Sequence, residues 1–553
     1  MSTTAATAAD LVEGRQILAA AEQVMEAVLE AARRLTDHGR RIDDYQVQTE
    51  RVAYLATELR AARDLLTYAQ GLHARGAPDT VTDLQAVAYT AEVAHRLRAQ
   101  VEGALEEFGL EEAALTPLSA SDVRAAVRAG MAEARLRAIG RAVIAARGVN
   151  NIPLSDEMLE LTRRSMREFA RGEVAPLAER IHRNDELVPD DLIRKMADLG
   201  LFALSVPERY GGSGMGYPAM VITTEELSAA SLGAAGSLAT RPEILINALL
   251  AGGTERQKQF WLPRIASGQV LVAIAVTEPD VGSDVASLTT RADPAEVDGR
   301  RGYVINGTKA WSTFAGRADV LALLARTDPD RSKGARGLSL FIVEKQPFYG
   351  HEFEQRQPGG GVLAGKAIPT PGYRGMHSFM LSFDNWFVPA ENLVGEEGGL
   401  NRGFYLQMGG FAAGRLQTGG RACGVAQAAL EKAAQYVVDR VQFGRPIGEY
   451  GLTQYKLGRM ATHLAAARQL TYSAARAMDA HPTQSLDGAM CKLLASDVAV
   501  WVTQEAQLLH GGWGYAEETA VSRYVVDAQV LPIFEGVKPI LELRVIGRAL
   551  LGG

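Results

Sequence analysis

Val270-Leu-Val-Ala-Ile-Ala-Val-Thr-Glu-Pro-Asp-Val-Gly-Ser-Asp284 marks the point where the texture of the chain changes. Before it, apolar residues recur three and four apart. Within it, a β-prone run gives way to a polar, Gly-containing loop. Such a loop presents backbone N–H groups and the hydroxyls of Thr277 and Ser283 to an anionic or carbonyl-rich ligand, although the bare pattern also fits a polar turn. Further β-prone runs follow at residues 303–306, 320–325, 338–343 and 379–383, separated by Gly, Asp and Pro. Residues 270–395 therefore read as a β-domain set between helical regions, and the fold class as α+β, mostly α.

Outward from this segment the helical regions are long. Over residues 11–147, Ile17, Ala21, Met25, Val28 and Leu29 recur at helical spacing, as do Val52, Leu55, Leu59, Ala62 and Leu66. Residues 148–155, with Asn150, Asn151 and Pro153, read as a linker. Helical periodicity resumes over 156–202, with breaks expected at Pro176 and Pro189, and again over 219–250. From Gly403 to Leu551 the chain returns to Ala- and Leu-rich helices, the last expected over 539–551. Four segments are expected: a helical extension at 1–150, a helical domain at 151–272, the β-domain at 273–397 and a helical bundle at 398–553. Residues 55–65 (Leu-Ala-Thr-Glu-Leu-Arg-Ala-Ala-Arg-Asp-Leu) resemble residues 460–470 (Met-Ala-Thr-His-Leu-Ala-Ala-Ala-Arg-Gln-Leu), and Thr-Tyr follows each closely. Either the extension is a degenerate copy of the bundle, or two Ala-rich helices match by chance.

Composition excludes several classes. A chain of 553 residues with 47% hydrophobic and 22% charged residues is an ordinary globular sequence, long enough for several domains. A net charge of −7 argues against a nucleic-acid or anionic-membrane partner. Residues 1–10 lack a basic and apolar signal-peptide pattern, and no apolar run is long enough to span a membrane. Two cysteines, Cys423 and Cys491, read as small buried hydrophobes in a reducing cytoplasm. No metal is expected, because the nine His residues form no ligand spacing.

Several motifs carry chemistry. Asn306-Gly307 is a hairpin signal that would set Trp311 and the hydroxyl of Thr313 side by side at a strand end. Arg440-Val-Gln-Phe-Gly-Arg-Pro-Ile447 ends a helix with a phosphate-competent guanidinium, with a structural C-cap as the alternative. Gln507-Leu-Leu-His-Gly-Gly-Trp-Gly-Tyr515 ends another with glycines that allow close backbone approach. Neither a dinucleotide-binding GxGxxG after a strand nor a P-loop is present. In Ile533-Phe-Glu-Gly-Val537, Glu535 lies in an apolar run, and a poorly solvated acid suits a general base.

Order and spacing carry more than any single motif. Phe169-Ala-Arg-Gly-Glu-Val-Ala-Pro176, Pro207-Glu-Arg-Tyr-Gly-Gly212, Thr277-Glu-Pro279 and Gly282-Ser-Asp284 open one series. Trp311-Ser-Thr313, residues 383–395, residues 440–447, Gly511-Gly512 and Phe534-Glu-Gly536 complete it. On this series, residues from 155 onward resemble an acyl-CoA dehydrogenase. The resemblance implies an N-terminal helical domain, a middle β-domain and a C-terminal four-helix bundle, preceded here by an extra N-terminal helical extension.

The resemblance also implies roles. FAD is the expected cofactor, with Thr277, Trp311 and Thr313 at its isoalloxazine ring, Ser283 near its pyrophosphate and the CoA, and Ala275, Gly282 and Ser312 as further cofactor contacts. Arg440, Gln442, Phe443, Gln507, Gly511 and Gly512 correspond to residues that reach the FAD of a neighbouring subunit, and Val537 to a further cofactor contact. Glu535 stands at the base position, removing the α-proton of an acyl-CoA while the β-hydrogen leaves as hydride to the flavin. Ser283, Arg415 and Gly536 stand at positions that meet the substrate. A thioester α-proton is weakly acidic, so the thioester oxygen needs donors where charge develops. The chain departs from the family pattern in Val537 for the usual Thr, Ser312 for Ile and Ala412 for Asp.

The extension, together with Phe534-Glu-Gly-Val-Lys-Pro539, is similar to a branch of the family that acts on a short, branched dicarboxylic acyl-CoA. Glutaryl, isobutyryl or butyryl thioesters, or an oxidase using oxygen, are the alternatives. A second carboxylate in a small pocket needs a cation. Arg241, helped by Thr240, is the candidate clamp; a surface Arg before Pro242 is the bland alternative. The family likeness further implies an electron-transferring flavoprotein as acceptor. A homo-oligomer is expected, a dimer rather than a tetramer if the extension covers the surface through which bundles pair.

Overall fold

The computed structural model describes residues 8–150, 152–481 and 485–552. Asn151 of the expected linker and residues 1–7 of the N-terminal stretch lie outside the described residues. Short turns aside, the extension forms α1 (Ala8–Leu35), α2 (Gln46–Ala74), α3 (Thr80–Glu102), α4 (Ser121–Gly130) and α5 (Glu133–Ala145). There follow α6 (Glu157–Phe169), α7 (Ala175–Asn184), α8 (Asp190–Asp198), α9 (Gly216–Ala230), α10 (Glu243–Gly252) and α11 (Glu255–Ala266). The strands are β1 (Val272–Ala275), β2 (Arg291–Val297), β3 (Arg300–Thr313), β4 (Val320–Arg326), β5 (Leu338–Glu344), β6 (Glu352–Arg356), β7 (Val362–Ile368) and β8 (Ser378–Pro389). Next come α12 (Gly403–Asp439), the ribbon β9 (Val441–Gln442) and β10 (Arg445–Pro446), α13 (Gly451–Ala480), α14 (Ser485–His510) and α15 (Ala520–Ala528). A closing helix, residues 538–551, ends the chain, its middle Leu541–Gly547 wound as a π-helix. No helix among the described residues is long and apolar enough to cross a membrane.

The described residues fall into two compact units. One, helical, holds residues up to 160, 418–480 and 485–552; the other holds residues 161–417 with His481. In the helical unit α1, α2 and α3 pack on one another, and α2, α3 and α5 also pack on α13. The α5–α13 crossing is possible only with glycine on both sides. A Cβ on Gly140 would lie 1.8 Å from the Gln454 carbonyl, and one on Gly458 would lie 2.0 Å from the Leu136 carbonyl. The two similar segments lie in α2 and α13, and they share a local device. Thr57 and Thr462 are both buried, and each hydroxyl donates to the carbonyl one turn back, at 2.7 Å. Between α3 and α13, Glu92 accepts from Arg459 at 2.9 Å and pairs with His463 at 3.2 Å. Burial raises that carboxyl, but His463, Arg459 and Arg96 outweigh it and hold it below the usual carboxylate range.

In the second unit the sheet runs β1-β4-β2-β3-β8-β7-β6, with β5 on the other side of β4. β4 is buried along its whole length and pairs in parallel with β1 and antiparallel with β5. Leu245 and Leu249 of α10 and Trp261 and Leu262 of α11 share one core with Val320, Leu324, Leu340 and Ile342 of these strands. The helices thus cover one face of the sheet. β2, β6 and β7 were absent from the sequence reading: their short, charged, alternating runs, such as Glu352-Phe-Glu-Gln-Arg356, carry little apolar signal.

Two local expectations are corrected. Asn306-Gly307 makes no hairpin; β3 runs through it with a register shift, a bulge at which a Cβ on Gly307 would sit 2.7 Å from Thr290. The β2–β3 turn is instead at Asp298-Gly299, where both residues have positive φ. Pro176 breaks nothing: Ala170–Val174 forms a π-turn, and Pro176 occupies the first turn of α7, where a missing N–H leaves no helical bond unmade.

Candidate active site

In the sheet unit the predicted flavin residues gather around the end of β3. The Thr277 turn leaves β1 and is tied back twice. The Ala310 N–H donates to the Thr277 carbonyl at 2.8 Å, and the Lys309 ammonium donates to the Val276 carbonyl at 2.9 Å and to Glu278 at 3.0 Å. Glu278 also accepts from the backbone N–H groups of Thr289 and Thr290, both at 2.8 Å. Burial raises the Glu278 carboxyl, but Lys309 and these donors override it and hold the group down to about 2. This buried ion pair clamps the turn against β3.

A second register shift, between Lys309 and Ser312, lifts Trp311 out of the pleat. Its φ of 58° is unusual for an aromatic residue, and its indole is 57% exposed. Trp311 is therefore exposed at the sheet end and not a core residue. Behind it the Thr313 hydroxyl is shared with Ser378 at 2.9 Å, and the Phe314 N–H donates to the His377 carbonyl at 2.7 Å. Ser312 is fully buried, and its hydroxyl has no partner among the described residues. The side chain of Ala275 is also buried, leaving its backbone as the part able to meet a ligand, whereas Gly282 and Ser283 lie exposed on the loop beyond.

The substrate candidates in this unit differ in setting. Thr240 is buried and Arg241 half-buried in the tight passage between the π-turn Leu232–Gly236 and α10. Both use the Ser237 carbonyl, Thr240 Oγ1 at 3.5 Å and Arg241 Nε at 3.3 Å. Arg241 is thus no surface cap, and α10 begins at Pro242 without a side-chain cap. Arg415 is half-buried within α12, one turn after the buried Ala412. Asp185, His351 and His377 bring ligand atoms within 4.8 Å of one another, a grouping that no local spacing announced. Asp185 already receives His377 at 3.1 Å and faces Arg374 at 3.5 Å, so its charge is compensated without an ion.

In the helical unit α12 ends at Asp439 and the chain turns through the β9–β10 ribbon, with Phe443 and Gly444 at positive φ and Phe443 96% exposed at its tip. Arg440 and Gln442 line a cleft of 590 Å³ together with His510, Gly511, Gly512 and Trp513. Gln507 lies just outside it, its amide donating to the Gly514 carbonyl at 3.1 Å. A Cβ on Gly511 or Gly512 would meet nothing, so these glycines leave backbone open to the cleft.

Glu535 and Gly536 sit in consecutive left-handed conformations, φ 54° and 96°. The turn is closed by the Lys538 N–H on the Pro532 carbonyl at 2.9 Å and by the buried Lys492 ammonium on the Gly536 carbonyl at 2.7 Å. The Arg421 guanidinium lies 5.8 Å from the Phe534 ring. Glu535 is half-buried and Ile533 is 60% exposed, so the sequence neighbours do not supply the dry setting expected of them. Val537 is the N-cap of the closing helix and makes no side-chain cap bond; the Thr usual there would bring a capping hydroxyl. Lys309, Glu278, Lys492 and Arg421, which support these two turns, were not singled out from the sequence. Glu278 and Lys309 stand beside polar turn residues, Lys492 and Arg421 in Ala- and Leu-rich helices, and their partners are set by tertiary packing.

The two sets suit different parts of one kind of cofactor: an exposed indole with buried hydroxyls behind it for a flat ring, a guanidinium beside open glycine backbone for phosphates. The chain belongs to the acyl-CoA dehydrogenase family, whose N-terminal domain matches residues 156–269, middle domain residues 273–386 and C-terminal domain residues 401–551. It is an FAD-dependent oxidoreductase acting on the CH–CH bonds of acyl-CoA thioesters, and an electron-transferring flavoprotein is the acceptor typical of its family. It is 38% identical over 95% of its length to (2S)-methylsuccinyl-CoA dehydrogenase of Cereibacter sphaeroides, covering 96% of that protein. Butyryl-CoA dehydrogenase of Megasphaera elsdenii superposes with a TM-score of 0.65 at 32% identity, over 73% of this chain and all of that one. A glutaryl-CoA dehydrogenase of Mycobacterium smegmatis in complex with FADH2 superposes with a TM-score of 0.63 at 26% identity, over 72% of this chain and 95% of that one.

Proposed function

We propose that the protein oxidises a short, branched dicarboxylic acyl-CoA, (2S)-methylsuccinyl-CoA to mesaconyl-CoA, in the cytoplasm. The observation that carries this reading is the reach of the methylsuccinyl-CoA dehydrogenase likeness. It spans 95% of the chain, extension included, whereas the butyryl-CoA dehydrogenase spans 73%. Bound FAD supplies the hydride acceptor. The chain's own part is to seat Trp311, Thr313 and the Thr277 turn against the flavin ring and to offer Arg440, Gln442, Phe443, Gln507 and the Gly511-Gly512 backbone to phosphates. Ala275, Gly282, Ser283, Ser312 and Val537 complete the cofactor surface. Glu535 takes the α-proton, and its own backbone N–H is the candidate donor to the thioester oxygen, where negative charge develops.

Arg241, supported by Thr240, clamps the second carboxylate; Arg415 and Ser283 serve the rest of the thioester. A half-buried guanidinium already oriented by the Ser237 carbonyl loses little freedom on binding an anion. The test is a turnover panel of methylsuccinyl-, glutaryl-, isobutyryl- and butyryl-CoA with dye, flavoprotein or oxygen as acceptor, run on the native enzyme and two variants. Methylsuccinyl-CoA should be the best substrate and oxygen a poor acceptor. Glu535→Gln should retain FAD yet leave it oxidised in the presence of substrate. Arg241→Met should lose about 100-fold or more in kcat/KM for methylsuccinyl-CoA and little for butyryl-CoA, as expected when one partner of a buried pair is removed. Equal turnover of all four thioesters would defeat the substrate reading, and flavin reduction in Glu535→Gln would defeat the base.

A further inference from the structure

The extension grips the segment that carries Glu535. Along the closing helix, Arg544 bonds Asp43 at 2.7 and 2.9 Å, and the Leu550 carbonyl accepts from Arg33 at 3.1 Å. A Cβ on Gly547 would lie 2.4 Å from Thr49, so α2 presses directly on the helix backbone. At its first turn the contact becomes a relay. The Tyr54 hydroxyl of α2 donates to Asp497 Oδ2 at 2.7 Å, and the Lys538 ammonium donates to the same oxygen at 2.6 Å. That ammonium also lies 4.8 Å from the centre of the Tyr54 ring.

Lys538 is three residues from Glu535, and its N–H closes the Glu535 turn. The helix beginning there lacks a side-chain cap at Val537. Gly536 takes its positive φ freely, but a left-handed Glu535 is costly unless its surroundings hold it. On one flank Lys492 holds the Gly536 carbonyl; on the other the Tyr54–Asp497–Lys538 chain, with Glu542 3.8 Å from the same ammonium, ties the start of the helix to α2.

We propose that the N-terminal extension is a positioning element for the catalytic base, and that Tyr54 is its positioning residue, acting on the Glu535 turn through Asp497 and Lys538. This rests on the reading of Glu535 as the base. The test uses the FAD-loaded full chain, with flavin bleaching by (2S)-methylsuccinyl-CoA, or by butyryl-CoA if that is the better reductant, followed in a rapid-mixing instrument. Tyr54→Phe keeps the ring and removes the hydroxyl; Asp497→Asn keeps the shape and removes the charge.

In both variants the reduction rate and kcat should fall about tenfold, with KM within about twofold of native, as for loss of alignment in the transition state alone. FAD content and thermal midpoint should stay native. Arg63→Gln, which removes an exposed ion pair with Glu22 elsewhere on α2, should reduce at the native rate. Native reduction rates in both Tyr54→Phe and Asp497→Asn would overturn the proposal, as would a loss that merely follows falling FAD content or midpoint. Reduction at the native rate in Glu535→Gln would defeat the base reading instead, so the two failures are distinct.

Discussion

Lys309 and Glu278 show how much a single pair contributes to a site it does not itself form. Both are almost wholly buried, and the ammonium spans the Val276 carbonyl and the Glu278 carboxylate, so the turn bearing Thr277 has one allowed place. Lys309→Met strands a buried carboxylate and should cost about 3–5 kcal/mol in a denaturant titration. Glu278 also sets an acid limit. Its carboxyl is held near 2 in the fold and titrates near 4.5 when unfolded, so its contribution is complete above the higher value and is lost as pH falls between them. The thermal midpoint of the native protein should drop through that window, and that of a Glu278→Gln variant should drop less. At this scale the sequence was half legible. Trp311, Arg440 and Glu535 stand in motifs whose spacing survives without the fold. Lys309 and Glu278 stand in the same motifs, but their pairing depends on where β3 passes the turn that leaves β1, which no local pattern encodes.

At the scale of elements, the long helices and the most apolar strands were readable because burial on one or both faces leaves a period in the sequence. The strands β2, β6 and β7 were not, since their signal is a few alternating residues among charges. Asn306-Gly307 misled for a related reason: an Asn-Gly pair serves a bulge as well as a turn, and only the partner strand distinguishes them. The glycine crossing of α5 and α13 makes a prediction of its own. Gly458→Val drives a side chain into the Leu136 carbonyl, and overpacking of this kind costs about 1–3 kcal/mol. The variant should melt earlier and expose residues 1–147 to limited proteolysis; an unchanged midpoint would mean that the helices can part at no cost. The buried Thr57 and Thr462, with the same one-turn-back bond, give the similarity of α2 and α13 a physical content beyond alanine content.

For the whole molecule, the extension packs against the helices that follow residue 418, inside one compact unit. We therefore predict a dimer: light scattering should return twice the 59.3 kDa chain mass, and a mass four times that of the chain would refute the idea that the extension covers the bundle's pairing surface. The relation between sequence and function is most direct where chemistry is local and least direct where it is delegated. Nothing in residues 11–147 hints at catalysis, because those residues carry none of the reacting groups.

The grip of α1 and α2 on residues 538–551 also has a consequence for how the protein is made. The extension leaves the ribosome long before the helix it must hold, and its surface around Asp43, Thr49 and Tyr54 waits unfilled while everything between is synthesised. A chain cut short before residue 538 would leave that surface bare and the Lys538 anchor missing. The Glu535 turn can therefore be seated against the extension only once residues 538–551 have been translated.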